Sequence, residues 1–290
     1  MNESLVANLK RHVERLAQAP RLPGSAEHAQ ARAYIEGELT AAGFVVTAHD
    51  AGQRATPCIN LLTEPRPADP DLPLLVVGAH YDTVAGSPGA DDNASAVAAL
   101  LELARWLGPR LDAAPAPRAR LQLAAYDLEE YGLIGSAAHA RRLTSAGTPL
   151  AGMIALEMLG FTDPRPGGQR LPPALAGIYP DTGDFIGVDG NEASAALVQA
   201  VAGAMRTVPG LPVQHLAVPG DGRILPDTRR SDHASFWDRG LPALMITDTS
   251  NFRNPHYHQP SDRPETLDYA FLAQVTRGVC AAVWGLVTSA

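Results

Sequence analysis

Val76-Val77-Gly78-Ala79-His80-Tyr81-Asp82-Thr83, followed by Gly89-Ala90-Asp91-Asp92-Asn93-Ala94-Ser95, is the stretch that decides the fold. The apolar run over residues 74–79 reads as a buried strand. It ends on a histidine, with an aspartate two residues later. A Gly/Pro/Ser loop over residues 85–89 then delivers a second acidic cluster to the start of an Ala- and Leu-rich helix. In open α/β sheets, ligands bind beyond the carboxyl ends of the strands. His80 and Asp92 are therefore expected to point into one crevice, as the first members of a metal site.

Working outward, Leu5, Val6, Leu9, Val13 and Leu16 recur at helical spacing over residues 3–17. Pro20, Pro23 and Gly24 break that pattern. Ser25 is placed to cap a helix reaching residue 42, with Gly43 closing it. Residues 44–48 and 59–63 read as strands. The helix over 92–107 is apolar nearly all round and should be buried, and 108–118 reads as a loop. Strands at 121–126 and 152–156 end on Asp127-Leu128-Glu129-Glu130 and on Glu157, with a helix over 136–143 between them. Further strands are expected at 185–188, 213–218 and 243–247, and helices at 192–208, 232–238 and 265–287. The Pro/Gly-rich residues 163–173 read as a loop over the site, and 251–264 as a long polar loop. This alternation predicts an α/β fold, a three-layer α/β/α sandwich around a mixed, mostly parallel central sheet. No linker or repeat interrupts it, so one domain over 1–290 is expected.

The 46% apolar content suffices for a full core. A formal net charge of −8 argues against nucleic acid or an acidic membrane surface as the main partner. Two cysteines, Cys58 and Cys280, are too few and too distant for a disulfide framework or a cysteine metal site. No run of about 18 apolar residues predicts a membrane span. Met1-Asn2-Glu3-Ser4 lacks the pattern of a signal peptide. The expectation is a cytoplasmic protein, secreted if a leader has been removed.

Acid or imidazole groups stand at five strand or loop ends: His80, Asp92, Glu129 with Glu130, Glu157, and His256 or His258. Alone, each has a plain structural reading, such as a helix cap for an aspartate. Their coincidence on one sheet edge is what matters. A charge at Glu157, between Leu156 and Met158, is poorly placed unless something neutralises it. Carboxylate and imidazole ligands suit zinc.

Six motifs follow one another in order: His80-x-Asp82, 89–95 as quoted, Glu129-Glu130-x-Gly132-Leu133-x-Gly135-Ser136, Leu156-Glu157-Met158, Ser231-Asp232-His233 and Tyr257-His258-x-Pro260-Ser261-Asp262. Together, from about residue 21 to 269, they resemble the co-catalytic di-zinc aminopeptidases, a family that includes glutamate carboxypeptidases and glutaminyl cyclases. The resemblance implies two zinc ions per chain, one held by His80 and Glu157 and the other by Glu130 and His258. Asp92 bridges them and precedes a cis peptide. Asp91 is the alternative, but Asp92 sits three residues before Ser95, as the family's bridging residue does. Asp82 is implied to orient His80 through its other ring nitrogen. His258 is preferred to His256 because it fits the Tyr-His-x-Pro-Ser-Asp pattern. Glu129 is implied as the general base, since a carboxylate beside an activated water can take its proton and return it to the leaving amine.

Asp232 and His233 are candidates for the substrate pocket, as are Phe161, Phe236 and Phe252. Glu157 departs from members that carry aspartate there, and the longer side chain bears on how a free α-amine is held. The expected activity is removal of an N-terminal residue from peptide substrates. An apolar residue is favoured because few charged pocket candidates stand out. The alternatives are a single-zinc glutaminyl-cyclase-type transferase and a carboxypeptidase. The latter needs a cation to clamp the substrate carboxylate, for which Arg223, Arg229 and Arg230 are available.

Overall fold

A computed structural model of the chain describes residues 2–52, 57–111, 113 and 116–288. Helices α1 (Asn2–Leu16) and α2 (Ala26–Ala41) lead into strands β1 (Val46–Asp50), β2 (Ile59–Thr63) and β3 (Leu74–His80). Then come α3 (Ala96–Leu111), β4 (Arg120–Tyr126), α4 (Ile134–Ser145), β5 (Leu150–Glu157), β6 (Ile186–Asn191) and α5 (Ala195–Met205). β7 (Val213–Val218), α6 (His233–Trp237), β8 (Ala243–Thr247) and α7 (Tyr269–Val287) complete the order.

Among the described residues, eight strands form one sheet in the order β1-β2-β4-β3-β5-β8-β6-β7. β4, β3, β5 and β8 run parallel, while β2 is antiparallel to β4 and β6 antiparallel to β8. The sheet is thus mixed and mostly parallel, as the sequence predicts. β3 lies near its centre and is buried along its whole length. Leu75, Val77 and Ala79 join the core shared with α1, α2, α3, α5 and α7. Leu74 and Val76 join the opposite core, shared with α4 and α6. A strand covered on both faces reads as a continuous apolar run, which is why it stands out in the sequence. α7 is as long and apolar as a membrane span, and here it packs on α1, α3 and α5.

Several boundaries differ from expectation for local reasons. The helix read from residue 92 starts at Ala96, because Asp92 and Asn93 leave helical geometry. Gly108-Pro109 does not stop α3, since buried Leu107 and Leu111 carry its apolar face one turn further. α7 starts at Tyr269 rather than residue 265, because the Asp268 carboxylate caps the Ala270 and Phe271 amides, both at 3.0 Å. β6 runs past Val188 and so includes Asp189.

Candidate metal centre

β4, β3 and β5 are parallel neighbours, so the segments leaving their carboxyl ends share one edge. His80 Nε2 lies 3.3 Å from Asp92 Oδ1 and 3.5 Å from Glu157 Oε2. His258 Nε2 lies 3.1 Å from both Asp92 Oδ2 and Glu130 Oε2. Two ligand sets result, His80–Asp92–Glu157 and Asp92–Glu130–His258, each receiving one oxygen of Asp92. Ligands at about 2.1 Å from a tetrahedral zinc are spaced about 3.4 Å apart. The four distances match that spacing. Glu130 Oε1 and His258 Nε2 are also buried without a hydrogen-bond partner. The donor set therefore fits divalent cations. Glu129 belongs to neither set, and its Oε2 stands 4.0 Å from His80 Nε2.

The backbone around these ligands is held by polar side chains. Both Asp82 oxygens accept backbone amides, from Glu129 at 3.1 Å and Glu130 at 3.2 Å, while Oδ1 lies 3.5 Å from His80 Nδ1. Asn93 brackets Glu157, donating to the Leu156 carbonyl and accepting from the Met158 amide. Ser95 Oγ accepts from Leu159, and Asp91 Oδ1 from Gly160. Asp262 accepts the amides of Asp91 and Asp92. Leu128 (φ 57°), Met158 (φ 46°) and His258 (φ 59°) take left-handed conformations beside or within the ligand set. Such geometry costs about 1–2 kcal/mol per residue and persists only where the surroundings impose it. At Gly89, φ is 64° and a Cβ would run into the Asp92 carbonyl, so only glycine fits. Asp82→Asn removes one acceptor from the clamp on Glu129, Glu130 and His80. Metal affinity is expected to fall about 10–100-fold in a competitive chelator titration. An unchanged affinity would show that Asp82 does not orient the ligands.

Five carboxylates, Asp82, Asp92, Glu129, Glu130 and Glu157, lie within 4.0 Å of the two imidazoles. Among the described residues no lysine or arginine ion-pairs with any of them. Burial pushes Glu129 well above the usual carboxylate range, and Glu157 and Asp232 add to this against the pull of His80. Asp92 goes the other way. Burial alone would raise it, but the imidazoles of His258 and His80 beside its two oxygens keep it well below its ordinary value. Burial lowers His258, yet Asp92 and Glu130 outweigh it and raise the imidazole to about 10. The site is a concentration of negative charge suited to cations.

Asp91 turns away from both sets. Its oxygens accept from Gly160 and Asn254, and burial with Asp248 alongside raises its pKa well above normal. His256 also lies outside them, bonded to Ser261 Oγ and packed edge-on against Phe161. Asp232 is buried with Oδ1 unpartnered, and burial lifts it to about 7. His233 bonds the Thr228 carbonyl at 2.7 Å and packs on Trp237. Phe236 is fully buried in the core, whereas Phe252 lines a cavity of about 100 Å³ that also touches Glu157. Leu171, Leu216, Leu225 and Met245 contribute to its walls, and Asp189 and Arg230 also face it. Residues 169–172, from the segment expected to cover the site, form one side. Arg223 and Arg229 are engaged by Asp221 and Asp238.

Sequence reasoning missed Arg21, which is fully buried and donates to the carbonyls of Leu16, Tyr81, Pro88 and Gly89. It also gave no role to Asn93 or Asp262. Their motif positions were visible, but a clamp on a distant backbone has no spacing signature.

Carboxylates and imidazoles gathered in two sets around one shared aspartate, on the carboxyl edge of a parallel sheet, give the layout of a metallopeptidase site. The chain belongs to peptidase family M28, whose profile matches residues 60–283. It is 39% identical over 265 residues to the uncharacterized protein YfbL of Escherichia coli (strain K12), covering 87% of this chain and 78% of that one. It spans about half the length of the next curated relatives it matches, several of them named probable zinc metalloproteases. Its fold is similar to that of the Legionella pneumophila LapA aminopeptidase, with a TM-score of 0.76 at 19% identity over 99% of this chain and 74% of that one. It is also similar in fold to the Porphyromonas gingivalis glutaminyl cyclase, with a TM-score of 0.70 at 20% identity over 98% and 97%.

Proposed function

We propose that the chain is a zinc-dependent aminopeptidase that hydrolyses the first peptide bond of its substrates. The observation carrying this reading is the pair of ligand sets sharing Asp92, with Glu129 beside them and outside both. His80 and Glu157 would hold one zinc, and Glu130 and His258 the other. When bound, the cations supply Lewis-acid polarisation of the scissile carbonyl and bring the pKa of water from about 15.7 toward about 7.

The chain's own residues do the rest. Glu129 takes the proton of the attacking water and delivers it to the leaving amine. Ser231 Oγ, donating to Glu157 Oε2 at 2.7 Å, fixes that carboxylate. The cavity beside Glu157 receives the substrate's terminal side chain, and residues 169–172 of the segment closed by the Asp163–Gly183 bridge form one side of it.

Elemental analysis of purified protein is expected to find two zinc ions per chain. Chelation is expected to abolish hydrolysis of aminoacyl-p-nitroanilides, and added zinc to restore it. No hydrolysis across a broad panel by protein holding two metals would overturn the reading. One metal per chain with ammonia release from N-terminal glutamine would replace it with a cyclase.

A further inference from the structure

The reaction above leaves Asp189 unused. It lies on β6 between Leu216 of β7 and Met245 of β8, its direct cross-strand partners, and faces the cavity that also touches Glu157. Among the described residues its carboxylate has no hydrogen bond or ion pair, and burial alone pushes it up to about 7. A carboxylate set in an apolar wall is costly without a partner. Asp82, Asp91 and Asp262, fully buried near the metal ligands, each accept two hydrogen bonds, whereas Asp189 is half-buried and opens onto the cavity.

Strand alternation puts Asp189 and Glu157 on the same face. Ile186, Val188 and Leu156 point into the α1/α3/α7 core, so Gly187, Asp189 and Glu157 point the other way. The register gives the span. Glu157 pairs with Thr247, and Thr247 pairs with Gly187. Asp189 is therefore two strands across and two residues inward, about 10 Å by about 7 Å between backbones. Allowing for the inward reach of both carboxylates, the gap suits a flexible methylene chain ending in a cation.

We propose that Asp189 makes this cavity selective for a cationic side chain, of the lysine or arginine type, on the substrate's N-terminal residue. The proposal rests on the aminopeptidase reading, and it differs from the apolar preference expected from sequence. Leu216, Leu225, Met245 and Phe252 pack the methylenes, and Asp189 receives the charged end. The arginines of the cavity do not compensate Asp189. Arg170 donates to the Asn251 carbonyl, while Arg230 donates to Asn251 Oδ1 and Tyr257 Oη and pairs with Asp227. An acidic side chain held by these arginines is the competing occupant.

The test compares kcat/KM for lysine, norleucine and glutamate p-nitroanilides with the zinc-loaded protein. Norleucine carries the lysine carbon chain without its ammonium. Lysine is expected to exceed norleucine by about tenfold or more, with glutamate last. Asp189→Asn is expected to bring the lysine-to-norleucine ratio near one. A parent preference for norleucine or glutamate, or an unchanged ratio in Asp189→Asn, would overturn the proposal. If none of the three is cleaved, the aminopeptidase reading is in question, and calorimetry still decides the role of Asp189. Lysinamide binding about tenfold tighter than norleucinamide to the parent but not to Asp189→Asn supports it, and equal binding to the parent overturns it.

Discussion

Glu129→Gln is expected to lower kcat by about 10²–10⁴-fold, the usual contribution of a positioned general base. Its metal content should match the parent's, because Glu129 is in neither ligand set. KM should move little, since the amide keeps the size of the carboxylate and the cavity beyond Glu157 is untouched. The contrast with Asp82→Asn separates the two acids. On the proposed roles, loss at 82 should act through ligand placement and weaken metal binding, whereas loss at 129 should remove the proton carrier. The measurements are steady-state kinetics at saturating zinc and metal counting on the same sample. Near-parental turnover in Glu129→Gln would assign the proton transfer to another group.

Arg21→Met is expected to lower unfolding free energy by about 3–5 kcal/mol, the cost of leaving buried polar partners uncompensated. The guanidinium reaches four carbonyls on three segments: the end of α1, the exit of β3 and the loop that delivers Asp91 and Asp92. It donates to no carboxylate, yet Asp262, Asp92 and Asp82 all act on it electrostatically. Burial lowers its pKa to about 10, well short of discharging it at neutral pH. Arg21→Lys should recover under half of the loss, because an ammonium with three donors cannot satisfy four carbonyls. Urea unfolding of the three proteins gives the comparison. A shift of under about 1 kcal/mol in Arg21→Met would show that water replaces the guanidinium without cost.

Much of this was legible in the sequence because a few rules act at short range. The double-sided burial of β3 writes itself as an unbroken apolar run, and a parallel sheet obliges its strand ends to share an edge. His80, Glu129 with Glu130, and Glu157 followed from that alone. Choosing Asp92 over Asp91 needed the family resemblance. The structure gives a physical reason for the choice, since Asp91 is occupied with Gly160, Asn254 and Asp248. Long-range contacts were not legible. Asn93 and Leu156 lie 63 positions apart and Asp91 and Asp262 lie 171 apart, so nothing local marks their pairing. Asp189 was hidden for a related reason. The residue pattern predicts a strand that stops at Val188, and only the extended β6 turns the next residue into a cavity wall.

The reversed direction of β6 relative to β8 has a consequence for how such enzymes diversify. Walking along β6 from Gly187 to Asp189 to Asn191 moves steadily inward from the catalytic edge, in increments of roughly 7 Å on one face. Of these positions, Asp189 is the one that faces the cavity beside Glu157. On the proposed aminopeptidase reading, a change at this one position would alter which terminal residue the cavity accepts while leaving all five candidate metal ligands in place.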